Sequence, residues 1–275
     1  MGEKTKPGLA GVPETLLWTL YHRAAEARRP DAVLTDPLAV ELIDAIEYPF
    51  EDLFGADVAF RAQWQALRHR RFDHEVRRFL DRHPDGTVVA LGEGLETQFW
   101  RVDNGRVRWV GVDLPEVIAL RDRLLPASPR RTSVAGSVHD DDWFAAIDPS
   151  RGVLVTAQGL LMHLDRADAH RLIARCAERF PGGTLVFDVV TRWFSDLAER
   201  AVVRSRGYVA PAMPWGLNGQ ELDALRRVHP AIAEVRRLPW GRGRGALFGY
   251  VVPALERLPL ARAALPIWIL RTDFS

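Results

Sequence analysis

The chain has 275 residues, of which 47% are apolar and 27% charged, and its formal net charge is +1. This composition predicts a globular protein with a large core, and the small net charge gives no global attraction to nucleic acid or to an anionic membrane. The single cysteine, Cys176, excludes an intramolecular disulfide and a multi-cysteine metal site. No signal peptide or spanning segment is visible, so a cytoplasmic protein is expected.

The N-terminal part of the chain predicts helices behind a short tail. Residues 1–12 contain Lys, Gly and Pro without periodicity, which predicts a mobile tail. Helices are predicted from Glu14 to Ala27, from Asp36 to about Ile46, and from about Val58 to Arg82. Proline follows Asp36 directly, in the first turn where helices accept it best. Residues 13–83 are therefore predicted to form a helical cap.

From Thr87 onward, short apolar runs alternate with amphipathic stretches. The runs predict buried strands at Thr87–Leu91, Arg108–Val112, Thr132–Ala135, Val153–Ala157 and Thr184–Val190. Helices are predicted between them at Glu96–Arg101, Leu114–Leu125, Asp141–Ile147 and Arg166–Phe180. In the last of these, apolar residues repeat at helical spacing, Asp165 is a suitable N-cap, and Pro181-Gly182-Gly183 ends the helix. This alternation predicts an α/β fold whose parallel sheet carries helices on both faces.

The chain after Thr191 is less regular. It predicts a helix at Phe194–Arg204 and another capped by Asn218, with Glu221 three residues on. Two late strands are predicted, at Ala246–Val252 and Ile267–Arg271. Without repeats or a low-complexity linker, residues 13–275 are predicted to form one domain.

A glycine loop follows the first predicted strand, with the sequence Leu91-Gly92-Glu93-Gly94-Leu95-Glu96-Thr97. Gly92 and Gly94 would let a ligand approach the backbone closely, because no Cβ intervenes. Asp113 ends the next strand, 21 residues after Gly92, where a carboxylate can accept both hydroxyls of a ribose. The combination predicts a nucleoside cofactor. The alternative is a tight turn followed by an acid that caps the helix starting at Leu114.

Two residues of the loop bear on which cofactor is bound. A dinucleotide fingerprint would have a third glycine where Thr97 stands. Glu93 would repel a diphosphate, whereas a cofactor carrying a sulfonium and an ammonium group tolerates a nearby acid. S-Adenosylmethionine is therefore favoured, and an NAD-type oxidoreductase is the alternative.

Two longer stretches carry a family resemblance. Val88–Asp113, continued by Leu114–Ile118, resembles the leucine carboxyl methyltransferase family, and more narrowly its bacterial branch of tetracenomycin-type polyketide O-methyltransferases. The usual loop of that family is LGAGLDTR, whereas this chain has LGEGLETQ, with departures at Glu93, Glu96 and Gln98. Thr156–Leu164 is similar to the family's EGLLMYL, with Gln158 where glutamate is common and His163 where tyrosine is common. The resemblance covers most of residues 12–190 and is faint after residue 191.

The resemblance implies the fold, the cofactor and a division of the chain. The expected fold is a Rossmann-like class I methyltransferase with a mostly parallel seven-stranded sheet. The cofactor would be S-adenosylmethionine and its product S-adenosylhomocysteine. Residues 84–190 would form the cofactor-binding core, and residues 191–275 would supply acceptor-side helices and the last strands.

The resemblance also implies roles for individual residues. Arg68, on the mainly apolar side of its helix between Trp64 and Phe72, would hold the cofactor carboxylate, and the alternative is a solvated, snorkelling arginine. Asp113 would bind the ribose. Ser137 and Val138 would contact adenine, although Ser137 is equally suited to an ordinary loop.

The acceptor would be a small aromatic or polyketide-like molecule, methylated on a carboxylate or a phenolic hydroxyl. Gln158 lies beside the expected methyl-transfer position, and His163 would line the acceptor site or cap the next helix. A carboxylate needs no base, whereas a phenol would benefit from His163. A non-catalytic binding protein is the other open interpretation, and the chain is expected to be a monomer or homodimer.

The remaining tryptophan and histidine residues considered have simpler expected positions. Trp193, Trp215 and Trp240 either floor the acceptor pocket or pack in the core. His69, His74 and His139 are expected at the surface, and no spacing predicts a metal site.

Overall fold

The computed structural model describes residues 4–56 and 58–275. The helices are α1 (Thr15–Ala27), α2 (Pro37–Ala45), α3 (Phe50–Phe54), α4 (Ala59–Leu80), α5 (Gln98–Val102), α6 (Pro115–Leu124), α7 (Arg166–Arg179), α8 (Arg192–Glu199), α9 (Gly219–Leu225), α10 (Val252–Arg257) and α11 (Pro259–Arg262). The strands are β1 (Thr87–Leu91), β2 (Arg108–Asp113), β3 (Arg131–Ala135), β4 (Val153–Ala157), β5 (Thr184–Thr191), β6 (Arg204–Ser205), β7 (Tyr208–Val209), β8 (Gly216–Leu217), β9 (Ile232–Leu238) and β10 (Ile267–Phe274).

One sheet organises the molecule, with strand order β3-β2-β1-β4-β5-β10-β9. Strands β1 to β5 are parallel, whereas β10 runs antiparallel to both β5 and β9. The short β8 pairs with the end of β5. The predicted mostly parallel, seven-stranded sheet is therefore confirmed. Its order reverses between β1 and β4, and such a switch point leaves a crevice at the carboxyl ends of the strands.

Both faces of the sheet are buried by helices, as the alternation predicted. In β1, Val89 and Leu91 belong to the same apolar cluster as the inner face of α7, whereas Val88 and Ala90 belong to the cluster that includes residues of α4. The inner face of α7 is the predicted one: Ala169, Leu172, Ile173, Cys176, Ala177 and the following Phe180 are all buried. Alternate residues of a buried parallel strand thus serve two separate cores.

Local side-chain caps set the starts of three helices. Asp36 accepts a hydrogen bond from the amide of Ala39 at 3.2 Å, and Asp165 accepts one from that of Asp168 at 2.8 Å. Asn218 and Glu221 form a reciprocal capping box at the start of α9. The caps predicted at Asp165 and Asn218 are confirmed, and Asp36 is a further cap, at the predicted start of its helix.

The predicted strand at Ala246–Val252 is wrong. Its central part, Leu247–Val251, is a turn of π-helix that leads into α10. Phe248 alone is buried there, against the aromatic rings of Trp64 and Phe60, and such a single anchor does not require an extended backbone. The edge of the sheet is formed instead by β9, which the sequence analysis missed. Its buried residues are three apart, a spacing that hides the alternation of a strand.

The helix predicted at Phe194–Arg204 stops early. The observed α8 ends at Glu199, and Ala201 then takes a left-handed conformation with φ 54°, which α-helix does not allow. Arg204 belongs instead to β6, which forms a small hairpin with β7.

The first residues are anchored at one point within the described range. The amide of Thr5 donates to Ala45 and its carbonyl accepts from Glu47, both at 2.9 Å. Residues 1–3 of the predicted mobile tail lie outside the described residues. The division into a tail and a single domain stays a prediction. Across residues 4–56 and 58–275, no helix is long and apolar enough to span a bilayer.

The helical cap contains a fully buried histidine, His22, on α1. Its Nδ1 lies 2.7 Å from the carbonyl oxygen of Trp18, and its ring packs against Trp18, Tyr21 and Phe54. Within the described residues, its Nε2 atom has no hydrogen-bond partner. Burial lowers the pKa of His22 to about 4.

We expect His22 to make the protein less stable as the pH falls. The unfolded chain binds a proton near pH ~6.5, whereas the folded protein excludes it down to about pH 4. The free energy of unfolding should therefore decrease across that window, with His22 accounting for up to about 3 kcal/mol. His22→Phe keeps an aromatic ring and should flatten this part of the curve in urea unfolding. His139→Gln, at the surface, should leave the slope as in wild type, and an unchanged slope in His22→Phe would contradict the assignment.

Candidate functional site

Three adjoining hollows lie at the carboxyl ends of the strands, and all three are lined by Thr15 and Gly159. The central hollow, about 550 Å³ and partly open to solvent, is bounded by the glycine loop, Arg68 and Gln158. The outer hollow, about 960 Å³, is bounded by Asp113, Ser137 and Val138 among others. The apolar hollow, about 770 Å³, lies on the other side, under the β6–β7 hairpin. Together they form one cleft at the predicted switch point.

The glycine loop needs its glycines for conformation and for space. Gly92 and Gly94 have φ values of 60° and 51°, in the left-handed region. A Cβ atom would also lie 3.0 Å from Leu160 at Gly92, and 3.1 Å from Leu16 at Gly94. Any other residue at either position would therefore strain the loop between β1 and α5.

Asp113, at the end of β2, is tied to this loop. Its Oδ2 accepts a hydrogen bond from the amide of Gly94 at 2.7 Å, and its Oδ1 accepts one from the amide of Leu114 at 2.8 Å. Burial raises the pKa of Asp113, and the two amides act in the opposite sense. The bond to Leu114 is local, but it precedes α6, which has no side-chain cap, so the predicted alternative of a helix-capping acid is not observed. The side chain still lines the outer hollow, and each carboxylate oxygen can accept a further hydrogen bond.

Ser137 and Val138 differ in what holds them. The amide of Ser137 donates to Asp140 at 3.0 Å, and its hydroxyl accepts from the amide of His139 at 3.2 Å, so Ser137 closes a tight turn. Val138 is buried and exposes its remaining surface to the outer hollow. Both residues lie where the sequence placed them, on the loop after β3, and their contact with a base stays a prediction.

Arg68 is buried and does find an anionic partner, as its position on the helix required. Its Nη1 lies 3.2 Å from Oδ2 of Asp188, a fully buried acid on β5. Oδ1 of Asp188 accepts a hydrogen bond from the amide of Gly159 at 2.6 Å. The Nε atom of Arg68 is buried and has no partner within the described part of the chain. The snorkelling alternative is therefore wrong, and Asp188 is a site residue that sequence reasoning missed.

Gln158, directly after β4, is held by an amide-to-amide hydrogen bond. Its Nε2 donates to Oε1 of Gln98 at 3.0 Å, and Nε2 of Gln98 donates to Oδ1 of Asp73 at 2.9 Å. The Oε1 atom of Gln158 is buried, and among residues 4–56 and 58–275 it meets no donor. Gln158 lines the central hollow, so this acceptor is a candidate contact for a cationic ligand group.

Glu93 does not act as the sequence analysis assumed. Its Oε2 lies 3.0 Å from Nη2 of Arg121 and 2.9 Å from Nη2 of Arg131, and its Oε1 accepts from the indole of Trp109 at 2.7 Å. Both arginines are buried or nearly so, so they neutralise the carboxylate. The argument that Glu93 repels a diphosphate is therefore wrong. The space for its carboxylate comes from Gly111, where a Cβ would lie only 2.1 Å from Oε2.

Glu96 is likewise a structural residue, in a buried network under the loop. It pairs with Arg23 at 2.7 Å, with Arg101 at 2.7 Å and with Nε2 of His69 at 2.9 Å. Burial alone would raise the pKa of Glu96, but Arg101 and Arg23 hold it well below its usual range. The surface position predicted for His69 is wrong, because this side chain is only 1% exposed.

The walls of the apolar hollow are mostly apolar and aromatic. They include Trp18, Met162, Phe194, Tyr208, Met213 and Ile267. None of the three tryptophans proposed from the sequence lines it. Trp215 and Trp240 are buried against Phe187 and Trp64, and Trp193 is 43% exposed. Trp18 was missed because it stands in the N-terminal cap, far in sequence from the expected acceptor region.

The polar groups of the apolar hollow include arginines and a histidine. Arg61, Arg68 and Arg204 line it, and no Asp or Glu does so among the described residues. His163 lies between the apolar and outer hollows. Its Nδ1 is 3.1 Å from the carbonyl oxygen of Ala212, and burial lowers its pKa. A neutral ring that donates from Nδ1 leaves the Nε2 lone pair free.

In the described ranges, no group of three or more His, Cys, Asp or Glu side chains is arranged to hold a metal ion. The fold and the cleft instead define a class. A mostly parallel seven-stranded sheet, with a glycine loop after β1 and a carboxylate ending β2, is that of a Rossmann-like class I methyltransferase.

Comparison with known proteins agrees with this class and narrows it. Residues 17–177 match the leucine carboxyl methyltransferase family. The tetracenomycin polyketide synthesis O-methyltransferase TcmP of Streptomyces glaucescens is 36% identical over 227 residues, which cover 82% of each chain. The S-adenosyl-L-methionine-dependent methyltransferase dpfgK of Gibberella zeae is 31% identical over 193 residues, 65% of this chain and 64% of that one. The chain therefore belongs to the leucine carboxyl methyltransferase family and is an S-adenosylmethionine-dependent methyltransferase.

Solved structures extend the likeness at the level of the fold. The small RNA methyltransferase HEN1 superposes with a TM-score of 0.50 at 12% identity, over 75% of this chain and 25% of that chain. At this identity the likeness shows the fold alone.

Proposed function

We propose that this enzyme transfers a methyl group from S-adenosylmethionine to an oxygen of a small aromatic or polyketide-like acid. One observation carries the proposal: the cofactor-side hollows and the apolar hollow adjoin, with Thr15 and Gly159 lining all three. TcmP, the relative covering 82% of this chain, carries the name of a polyketide O-methyltransferase. The elongated cleft suits a nucleoside at one end and an apolar acceptor at the other.

The residues of the cleft fit S-adenosylmethionine. Asp113 would accept the ribose hydroxyls, and Val138 offers an apolar surface to the adenine. Within the described residues, the buried Oε1 of Gln158 has no donor, which suits the ammonium group, and the buried Nε of Arg68 has no acceptor, which suits the carboxylate. The amides of Gly92 and Gly94 already donate to Val112 and Asp113 and are not free for a diphosphate, which favours the methyl donor over NAD.

The cofactor supplies an activated methyl group on its sulfonium, so the chain's task is alignment. Fixing two reactants in attack geometry can lower the activation barrier by about 7–11 kcal/mol. Arg68, held by Asp188, and Gln158, held by Gln98, are both fixed by buried partners. The apolar walls around Met162 and Phe194 exclude water from the acceptor.

A carboxylate is the acceptor group that the apolar hollow favours. Three arginines and no acid among its described lining residues favour an anionic molecule. A carboxylate is already ionised at neutral pH and needs no base. The lowered pKa of His163 also makes this histidine a poor base for a phenol of pKa about 10.

A hydroxyl acceptor is the second candidate, because of the tautomer of His163. With Nδ1 donating to Ala212, the Nε2 lone pair can accept a hydrogen bond from a hydroxyl. It cannot bond to a carboxylate, because both groups would then be acceptors. In that case Arg61 or Arg204 would bind a carboxylate elsewhere on the same acceptor, and His163 would position the hydroxyl.

The cofactor is tested by calorimetric titration of the purified protein with S-adenosylmethionine, S-adenosylhomocysteine and NAD. We expect saturable binding of both adenosyl compounds and none of NAD. Binding of NAD alone, or of no ligand, would reject the proposed function.

The acceptor group is tested with labelled S-adenosylmethionine and a panel of aromatic acids, phenols and hydroxy-acids. A methyl ester releases its label in alkali, whereas an ether retains it, so the label identifies the acceptor oxygen. Arg61→Gln with Arg204→Gln should raise KM for acids and leave the affinity for S-adenosylhomocysteine unchanged. Labelled ether from phenols that lack a carboxylate would contradict the preference for acids.

A further inference from the structure

The Asp73–Gln98–Gln158 series connects the buried ion-pair network to the central hollow. Asp73 is 1% exposed and Gln98 is fully buried, so neither touches solvent. Arg101 holds both oxygens of Asp73, from Nε at 2.8 Å and from Nη2 at 3.0 Å. With a guanidinium donating to both of its oxygens, this carboxylate presents only acceptors to Gln98.

That restriction fixes the orientation of both amides. Since Asp73 only accepts, Gln98 must turn its NH₂ group towards Asp73 and its oxygen towards Gln158. Gln158 must then turn its own NH₂ group towards Gln98. Its oxygen then has no donor within the described residues, on a side chain that lines the central hollow. Asp73, acting through Gln98, thus determines that Gln158 offers a ligand an acceptor rather than a donor.

The same two glutamines are departures from the family's usual residues, arginine at the position of Gln98 and glutamate at that of Gln158. The structure shows that these departures touch each other, at 3.0 Å. A neutral amide pair therefore stands where the usual residues would place opposite charges. Because the two amides are in contact, a charge introduced at one position should need the opposite charge at the other.

We propose that Asp73 and Gln98 are positioning residues that hold the Gln158 amide with its oxygen towards the cofactor's ammonium group, through a neutral pair replacing a charged one. This inference rests on the proposed function, because it takes the methionine end of the cofactor to lie in the central hollow.

The test measures the affinity of two ligands by calorimetry. S-Adenosylhomocysteine carries the ammonium and carboxylate groups, whereas 5′-methylthioadenosine has the same nucleoside and neither group. Gln158→Ala should weaken S-adenosylhomocysteine by about ten- to hundredfold, the range for a hydrogen bond to a charged group. Gln98→Leu should weaken it by about three- to tenfold, because the Gln158 amide loses its fixed orientation. Neither variant should change the affinity for 5′-methylthioadenosine.

Gln63→Leu is the matched control. Gln63 is another buried glutamine of the same region, on α4, and it accepts a hydrogen bond from the backbone of Arg244 rather than lining the cleft. Its loss should leave both affinities unchanged. Arg68→Ala should also weaken S-adenosylhomocysteine, but it should spare decarboxylated S-adenosylmethionine, whose ammonium group keeps it sensitive to Gln98→Leu.

A second-site rescue separates positioning from a merely structural role. Gln98→Arg alone adds a buried cation beside Arg101, and it should weaken S-adenosylhomocysteine by about tenfold or more. Adding Gln158→Glu restores an oppositely charged pair and should recover most of that loss. If Gln98→Leu fails to fold, the comparison of Gln98→Arg with the double variant tests the inference in its place.

The outcomes are distinguishable. If wild type binds neither ligand, the proposed function fails and the inference fails with it. If wild type binds S-adenosylhomocysteine but Gln98→Leu binds both ligands as tightly as wild type does, the inference alone is overturned. Equal losses for both ligands, or no rescue by Gln158→Glu, would also overturn it.

Discussion

Replacing Arg23 with methionine is expected to lower the free energy of unfolding by about 3–5 kcal/mol, the effect of removing one partner from a buried ion pair. Arg23 is 1% exposed on α1. Its guanidinium donates to Asp36 at 3.0 Å, to Glu96 at 2.7 Å and to the carbonyl of Leu95 at 2.8 Å. Methionine keeps much of the apolar stem, so the loss comes from carboxylates left buried without this cation.

Arg28→Met is the matched control on the end of the same helix. Arg28 also pairs with an aspartate, Asp44, at 2.7 Å, but the two side chains are 45% and 68% exposed. Such a pair contributes at most about 1 kcal/mol. Urea unfolding of both variants near neutral pH measures the difference. Losses of equal size would show that burial does not set the strength of the Arg23 network.

The Arg23 network also shows where sequence reasoning reaches its limit. Glu96 is recognisable in the sequence only as a departure within the glycine loop. Its partner Arg23 lies 73 residues away on another helix, and no local pattern connects them. The same holds for Glu93, whose neutralising contacts with Arg121 and Arg131 reversed the electrostatic argument built on it. The role of a buried charged residue depends on its tertiary partners, and a single sequence does not reveal them.

The elements of the core were predictable because burial there leaves a local signature. Strands β1 to β5 were each placed to within one residue, and in β1, β2, β4 and β5 the reason is that both faces are covered and the runs are mostly apolar. The edge strand β3 is not buried as predicted, because none of its residues is fully covered. The other edge strand, β9, was missed because it alternates poorly and carries Glu234, Arg236 and Arg237. The cleft residues Gly92, Gly94 and Asp113 could be named in advance because each is tied to a strand end. Gln98 was named only as a departure from the family's usual loop and Asp188 was given no role, because the importance of both lies in what they hold.

Asp113→Ala is expected to weaken S-adenosylhomocysteine by about 1.5–3 kcal/mol, the contribution of hydrogen bonds to a charged group. The carboxylate accepts from the amides of Gly94 and Leu114, so the variant removes the anchor of the glycine loop together with the ribose acceptor. The two effects act on the nucleoside, and 5′-methylthioadenosine should lose affinity to the same extent. Asp113→Asn keeps one oxygen acceptor and should show a smaller loss.

Asp113→Ala should weaken both ligands, whereas changes in the Gln98–Gln158 pair should weaken S-adenosylhomocysteine alone. Asp122→Ala removes an acid of the neighbouring α6, whose Oδ1 accepts from Ser133 at 3.0 Å, and it should change neither affinity. Because Asp113 and Gln158 face different hollows, their effects on S-adenosylhomocysteine should add when both are replaced. If Asp113→Ala weakened S-adenosylhomocysteine but not 5′-methylthioadenosine, this carboxylate would bind the methionine end of the cofactor rather than the ribose. The orientation of the whole cofactor in the cleft would then be the reverse of the one proposed.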